Sequence, residues 1–104
     1  MLVISARVEL APGDIEAYIA SAQKIVEPTR AEKGCQLYAI ARDINDPNVV
    51  WISEQWDEEE DLFAHLRADH INEFLEVAGA LTITHMNVIR YEVSSAGPLE
   101  IPEA

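Results

Sequence analysis

Hydrophobic and polar residues alternate along four stretches of the chain, a period of two that is typical of β-strands with one buried face. These stretches are Leu2–Leu10, Cys35–Arg42, Val49–Trp56 and residues 82–93. The second and third stretches are separated by Asn45-Asp46-Pro47-Asn48, whose residue types favour a tight turn. We therefore expect these two strands to form an antiparallel hairpin.

Between the first two strands, apolar residues recur at the spacing of an amphipathic helix. They are Ile15, Tyr18, Ile19, Ala22, Ile25 and Val26. Pro12-Gly13-Asp14 breaks the first strand, and its proline and acid both suit the first turn of this helix. We expect Pro28 to end or kink the helix and Gly34 to stop the short segment after it.

A second helical region is predicted between the third and last strands. Asp57-Glu58-Glu59-Glu60 resembles an acidic capping box, and its charges suit the positive end of a helix dipole. The apolar stripe of this helix consists of Leu62, Phe63 and Leu66. Asp69 is expected to cap a further short helix that ends before Gly79. The apolar residues of that helix are Ile71, Phe74, Leu75 and Ala78.

The order of these elements is β-α-β-β-α-β, the ferredoxin-like arrangement of the α+β class, with one antiparallel sheet and helices on one face. Residues 1–93 are expected to form this domain, and residues 94–104, which are small, acidic and proline-bearing, a tail on or near the surface. Neither face of the last three strands is convincingly polar. We therefore expect a second subunit to cover the apolar sheet surface and form a homodimer.

Length and charge narrow the range of functions. A chain of 104 residues is one domain. Its formal charge of −12 argues against binding to nucleic acid or to an anionic membrane surface. No apolar run approaches the roughly 20 residues of a membrane helix, and no N-terminal signal is visible, so we expect a cytoplasmic protein. The single cysteine, Cys35, cannot form an internal disulfide and is expected to be a buried, inert thiol.

Two histidines are candidates for proton transfer, because imidazole titrates near neutral pH. His65 and His70 are five residues apart, or about 140° on a straight helix, which would not direct both at one metal ion. A break near Ala68-Asp69 could bring them together. No metal-binding spacing is present, so no metal is expected. For each histidine, a role in function and a place as an ordinary surface or core residue both stay open.

Glu54 lies two residues before Trp56 on the same face of an otherwise apolar strand. A carboxylate in that position must find a hydrogen-bonding partner or change its pKa. Two interpretations stay open: an ion pair with Arg7, Arg42 or Arg90, and a role in catalysis.

Other residues are candidates for contact with a ligand. Trp56, Phe63 and Phe74 could hold a flat aromatic molecule, although aromatic residues at this spacing are also common in hydrophobic cores. His85 and Asn87 are polar residues on an apolar face of the last strand. They are expected either to line a pocket or to reach a dimer contact.

Four motifs together resemble the antibiotic biosynthesis monooxygenase superfamily, and most closely its bacterial quinol monooxygenase branch. They are Glu32-Lys33-Gly34-Cys35-Gln36-Leu37-Tyr38, Asp46-Pro47, Glu54-Gln55-Trp56 and His65-Leu66-Arg67-Ala68-Asp69-His70. The resemblance covers residues 2–93. It implies a dimer of ferredoxin-like α+β barrels, with a pocket between sheet and helices in each subunit.

The activity implied by this resemblance is oxygenation of a quinol or polycyclic phenol, such as an anthrone, with O₂ and without a cofactor. His70 or His65 would be the base, Glu54 would orient it or hold a hydroxyl, and Trp56 and Tyr38 would form the pocket wall. We expect His70 to matter more than His65, because the first turn of a helix favours the neutral imidazole that can accept a proton.

Other branches of the superfamily fit less well. Haem-degrading members use an asparagine, a tryptophan and an axial histidine where this chain has Ala6, His65 and Leu75, so haem is disfavoured. An isomerase of a phosphorylated signalling sugar would need clustered cations, but the seven Lys and Arg are scattered. A non-enzymatic dimeric domain that binds small molecules is the third alternative. Convergence of His65, His70 and Glu54 on an open cavity would distinguish an enzyme from such a domain.

Overall fold

The computed structural model describes residues 1–103 and contains four strands and three helices. In chain order these are β1 (Leu2–Leu10), α1 (Ile15–Arg30), β2 (Cys35–Arg42), β3 (Val49–Trp56), α2 (Glu59–Leu66), α3 (Asp69–Gly79) and β4 (Ile83–Glu92). The strands form one sheet in the order β2-β3-β1-β4, and every neighbouring pair is antiparallel. The prediction of a ferredoxin-like α+β fold is confirmed. No helix in residues 1–103 is long and apolar enough to cross a membrane.

Strand β1 lies at the centre of the sheet and organises the core. Its residues alternate between buried and half-buried along all nine positions, as the period-two pattern predicts. The buried face of β1 packs in one hydrophobic cluster with residues of α1 that include Ile15, Tyr18 and Ile25. The helices therefore cover the face of the sheet that carries the even-numbered residues of β1.

The helix ends differ in detail from the sequence prediction. Pro28 does not end α1 but lies inside it, since the helix continues to Arg30. Pro28 has no N–H to donate to the carbonyl of Lys24, so the helix lacks one hydrogen bond at this position. Asp69 is not the cap of α3: the capping position is Ala68, and no side-chain hydrogen bond caps either α3 or α2.

Gly34 determines how β2 begins against α2. Its φ is +80°, a conformation that side chains with a Cβ rarely adopt. A Cβ at this position would also overlap the buried side chain of Asp61 in α2. The carbonyl of Gly34 accepts a hydrogen bond of 2.8 Å from the amide of Asp57, just before α2. This turn therefore sets the distance between β2 and the helix that carries His65.

Strand β4 departs from the predicted alternation. A register shift opposite Glu9 and Leu10 makes Ile83 pair with Leu10, whereas His85 pairs with Glu9. The bulge places Ile83 on the helix side of the sheet and His85 on the other side, so the two do not share a face as simple alternation predicts. Beyond Ile83, every residue of β4 is exposed, and residues 94–103 form no helix or strand.

Candidate functional site

An apolar cavity of about 330 Å³ lies between the sheet and the helices. Its walls come from β1, β2, β3 and β4 on one side and from α1, α2 and α3 on the other. They include Ala6, Tyr18, Tyr38, Ile52, Phe74 and Val88. The cavity wall carries one carboxyl group, that of Glu54, and one imidazole, that of His65. Such a cavity, mostly apolar with a few converging polar groups, is typical of small-molecule sites.

Glu54 projects from β3 into this apolar environment with a side chain that is only 12% exposed. Its Oε1 accepts a 3.0 Å hydrogen bond from Trp56 Nε1 and lies 4.0 Å from His65 Nε2. Burial raises the pKa of Glu54, although the hydrogen bond from Trp56 and the nearby His65 oppose this effect. The proton is therefore held more firmly than on an ordinary glutamate.

The alternative expectation for Glu54 was an ion pair with an arginine, and the structure places all three arginines elsewhere. Arg7 pairs with Glu9 at 3.4 Å, and Arg42 pairs with Glu16 at 2.9 Å. Arg90 pairs with Glu59 and Glu92. None of these residues lies within ion-pair distance of Glu54 in the described part of the chain. The groups around this carboxyl are those of the cavity.

His65 lies in the last turn of α2 and is 3% exposed. Its ring packs against Trp56, with ring centroids 4.8 Å apart, and against Tyr38, with centroids 5.4 Å apart. One ring nitrogen, Nε2, faces Glu54, and the other, Nδ1, lies 2.9 Å from Glu32 Oε2. His65 thus lies between two carboxylates: Glu54 on the side of the cavity and Glu32 on the opposite side of the ring.

Glu32 is the site residue that sequence reasoning did not assign. It lies just past the end of α1, and its Oε1 is 2.8 Å from His70 Nε2. That contact does not have the direction of a hydrogen bond, so the buried Oε1 has no hydrogen-bond partner. A signal was present in the sequence, because an acid just after a helix is disfavoured by the helix dipole unless another group compensates it.

His70 lies on the outer side of this cluster. Its Nε2 is 3.2 Å from the hydroxyl of Thr29, which is fully buried, and the side chain is 24% exposed. His70 does not line the apolar cavity. It lines a second, open cleft of about 460 Å³, together with Glu32, Glu60 and the outer edge of His65. The break between α2 and α3 does bring the two histidines together, with ring centroids 6.3 Å apart.

The remaining candidates are divided between the cavity and other places. Tyr38 and Phe74 line the cavity, while Trp56 is fully buried behind Glu54 and His65. Phe63 is 41% exposed on α2 and does not line the cavity. His85 and Asn87 project from β4 on the face away from the helices, opposite Glu9 and Arg7. These two residues do not line the cavity, and the alternative that they reach a dimer contact stays a prediction.

Two tyrosines on the cavity wall can donate hydrogen bonds but cannot act as bases near neutral pH. Burial raises the pKa of Tyr18 to about 12. Burial also raises the pKa of Tyr38 well above its ordinary value, with a further contribution from the nearby Glu54. The groups that can exchange protons with a bound molecule are therefore Glu54 and His65, which connect through Glu32 to His70 and the open cleft.

Comparison with known proteins gives one family and a consistent set of structures. The model of the family described as "Antibiotic biosynthesis monooxygenase" matches residues 1–77. A Bacillus subtilis relative named "Putative monooxygenase YcnE" is 27% identical over 94 residues, which are 90% of this chain and 99% of that protein.

Solved structures share the whole fold. The crystal structure of PA3566 from Pseudomonas aeruginosa superposes with a TM-score of 0.82 at 28% identity, covering 90% of this chain and 94% of that one. A Deinococcus radiodurans protein described as a putative antibiotic biosynthesis monooxygenase superposes with a TM-score of 0.86 at 22% identity. That superposition covers 96% of this chain and 99% of the other and shows the likeness of the fold.

Proposed function

The chain belongs to the antibiotic biosynthesis monooxygenase family, and from this premise we propose that it oxidises an electron-rich phenol, a quinol or an anthrone-like compound, with O₂. The family is the one that the four motifs resemble, so that prediction is confirmed. The observation that supports the activity best is the position of Glu54 and His65, an acid and an imidazole side by side on the wall of an apolar cavity.

The cavity suits an aromatic substrate of small to medium size. Its volume of about 330 Å³ lies at the lower end of the usual range for small-molecule pockets, roughly 300–1,000 Å³. Walls of Ile52, Phe74 and the rings of Tyr18 and Tyr38 favour a flat apolar molecule and exclude water from it. Its lining contains no Lys or Arg, which argues against the isomerase of a phosphorylated sugar.

The proposed reaction begins with removal of a substrate proton. His65 Nε2 faces the cavity and takes the proton of the phenolic hydroxyl, with Glu54 beside it to hold the substrate or the imidazole in position. The resulting anion is electron-rich enough to reduce O₂ directly, so the substrate supplies all four electrons that O₂ takes up and no cofactor is required. A carbon–oxygen bond forms to one oxygen atom, and the other leaves as water with two hydrogens from the substrate.

The proton taken up by His65 has a route out of the cavity. As Nε2 gains a proton, Nδ1 can release its own to Glu32 Oε2 at 2.9 Å. The other oxygen of Glu32, Oε1, lies 2.8 Å from His70 Nε2 without the direction of a hydrogen bond, so one of the two side chains must rotate before the proton passes to His70 and the open cleft. His65 is therefore the base in this proposal and His70 the exit, which reverses the order of importance expected from the sequence.

We test the activity by aerobic incubation of chelator-treated protein with a panel of quinols and anthrones, following oxygen uptake. Wild type is expected to consume O₂ with at least one member of the panel, and Glu54→Gln to lose most of this activity. Phe74→Ala, on the cavity wall, should raise KM, whereas Phe63→Ala, outside the cavity, should not. A panel without oxygen uptake would favour a non-enzymatic binding domain, whereas equal activity of Glu54→Gln and wild type would contradict the role proposed for Glu54.

The proposed enzyme is a homodimer, as proteins of this family commonly are. The sheet face without helices carries exposed apolar side chains, among them Leu37, Trp51 and Ile89. Polar residues such as Ser5, Arg7 and Gln55 lie among them on the same face, and exposed apolar residues with polar neighbours are characteristic of a protein interface. His85 and Asn87 lie on this same face and would be near the second subunit.

A further inference from the structure

Three side chains behind the apolar cavity form a set of potential metal ligands. Glu32, His65 and His70 each offer one ligand atom, and these atoms lie within 4.8 Å of one another. They come from three different segments: the loop after α1, the end of α2 and the first turn of α3. We propose that they bind a divalent transition-metal ion, for which Zn²⁺ is the probe, with its remaining coordination position open towards the cleft.

The distances between the ligand atoms fit this assignment. The carboxylate oxygens of Glu32 lie 2.9 Å from His65 Nδ1 and 2.8 Å from His70 Nε2. Ligands of a tetrahedral zinc ion with bonds of about 2.0–2.1 Å are about 3.3 Å apart. The two contacts of Glu32 need to lengthen by about half an ångström, while the widest pair of ligand atoms, which lie within 4.8 Å of each other, needs to shorten towards about 3.3 Å. Rotation of the side chains can supply both changes. Two imidazoles and one carboxylate are also a known ligand set for zinc with an open position.

The surroundings favour a cation. Glu32 Oε1 is buried without a hydrogen-bond partner, and coordination to a cation would compensate for the missing hydrogen bond. The cleft beside the cluster is also lined by Glu60 and Asp61, and Lys33 is its only cationic lining residue. Lys33 is 92% exposed and lies 4.0 Å from Asp61, so its ammonium group is directed away from the three ligands.

A second carboxylate supports one of the ligands from behind. Coordination through His65 Nδ1 requires the proton of this ring to be on Nε2, which faces Glu54 Oε1 at 4.0 Å. Metal-binding histidines commonly direct their other nitrogen at a carboxylate in this way. Thr29, fully buried beside His70, is a second polar group next to the ligands.

The proposed activity would be sensitive to this ion. With Nδ1 on the metal and a proton on Nε2, His65 could not accept a proton from a substrate in the cavity. The route through Glu32 to His70 would be closed as well. Zn²⁺ is therefore expected to inhibit the enzyme. This inhibition rests on the proposed function, but the binding of the ion does not.

Calorimetric titration of the chelator-treated full chain with zinc chloride tests the binding. One Zn²⁺ per chain is expected, and Glu32→Gln and His70→Ala should each weaken binding by at least about 100-fold. Two matched controls should bind as wild type does. Glu76→Gln removes an exposed carboxylate of α3 outside the cleft, and His85→Ala removes an imidazole on the far face of the sheet. Circular dichroism establishes that each variant is folded. If His70→Ala does not fold, Glu32→Gln still tests the site, because glutamine keeps the shape of the glutamate side chain.

A Co²⁺ titration gives an independent signature, because histidine coordination produces visible absorption bands that a loosely held ion lacks. These bands should appear in wild type and be absent in His70→Ala. Absence of stoichiometric Zn²⁺ binding, or equal losses in the ligand variants and the controls, would overturn the proposal.

Oxygen uptake in the presence of Zn²⁺ separates this proposal from the proposed function. Inhibition of wild type, with relief in His70→Ala, is the expected result; activation by Zn²⁺ would contradict the inhibitory role. If no substrate is oxidised, the proposed function fails while the titration still decides the metal site. If Zn²⁺ does not bind, the metal site fails while oxygen uptake still decides the activity.

Discussion

Glu54 occupies a position where an apolar side chain would stabilise the fold better. It lies between Ile52 and Trp56 on the buried face of β3, and burial raises its pKa. In the window between the ordinary pKa of a glutamate and this raised value, the folded chain holds a proton that the unfolded chain has lost. Its contribution to stability therefore falls as the pH rises through that window. A buried carboxyl group that lowers the stability of the folded protein in this way is more readily explained by a role in catalysis than by a role in the fold.

From this we predict that Glu54→Gln raises the melting temperature of chelator-treated protein at pH 8 while it lowers oxygen uptake. The neutral amide removes the cost of a buried charge, and its oxygen can still accept the hydrogen bond from Trp56. The gain in melting temperature should shrink as the pH is lowered, because wild-type Glu54 then takes up its proton. Thermal scans from pH 4 to pH 8 measure this, and a variant less stable than wild type at pH 8 would contradict it.

The two histidines should differ in their effects on turnover. His65 lines the cavity, so we predict that His65→Ala lowers kcat by about 10²–10⁴, the usual effect of losing a general base. His70 lies behind Glu32, so His70→Ala should lower kcat by a smaller factor and leave KM unchanged. His65 also packs against Trp56, so His65→Ala is expected to lower stability as well. Rates are therefore compared per folded molecule. A larger loss of kcat in His70→Ala than in His65→Ala would restore the order expected from the sequence.

At the scale of elements, the break between α2 and α3 brings His65 and His70 together with Glu32. Arg67 ends α2, and Ala68, in extended conformation, begins α3. On one continuous helix the two histidines would point about 140° apart. The change of direction at Ala68 instead brings both rings to Glu32, at the end of a third element. The position of α2 therefore decides whether the cluster forms.

Because Gly34 sets that position, we predict that Gly34→Ala destabilises the protein by about 2–4 kcal/mol, from backbone strain and overlap with Asp61 combined. It should also lower turnover, since α2 must shift and His65 moves with it. Urea unfolding measures the first effect. The matched control is Gly79→Ala, where a Cβ meets no atom within 4 Å, and this change should be neutral or slightly stabilising. Similar losses in both variants would argue against a special role for Gly34.

At the scale of the whole molecule, the main feature is the apolar surface that the helices leave uncovered. Three helices cover one face of the sheet, and β4 is exposed on both faces beyond Ile83. Exposed Trp51, Ile89 and Tyr91 lie on the face away from the helices. Residues 1–103 contain no further helix with which to cover them, so a second copy of the chain is the simplest partner.

We predict that light scattering at micromolar concentration gives twice the 11.6 kDa mass of one chain. Ile89→Glu, which buries a charge in the proposed interface, should shift the protein to the monomer. The matched control is Val77→Glu, also an exposed aliphatic residue but on α3 at the opposite side of the sheet, and it should remain a dimer. A monomeric mass for wild type at this concentration would contradict the prediction of a dimer.

Much of the fold could be predicted from the sequence because burial repeats with the period of each element. The alternation in Leu2–Leu10 predicts a strand with one buried face, and that strand is the centre of the sheet. The sequence also predicts a second, short helix that begins near Asp69, and α3 begins at that residue. The family could be predicted as well, because its motifs are local strings of residues.

The arrangement of the site, in contrast, depends on contacts between residues far apart in the chain. Glu32 is 33 residues from His65 and 38 from His70, and no local period connects such positions. The exclusion of His85 from the cavity results from one bulge opposite Glu9, which a pattern of alternation does not reveal. The sequence alone therefore determined which elements form and, for β1 and α1, which face of each is buried. Only the tertiary structure decided that Glu54 and His65 face a cavity while Glu32 and His70 lie behind it, because those positions depend on how the elements pack.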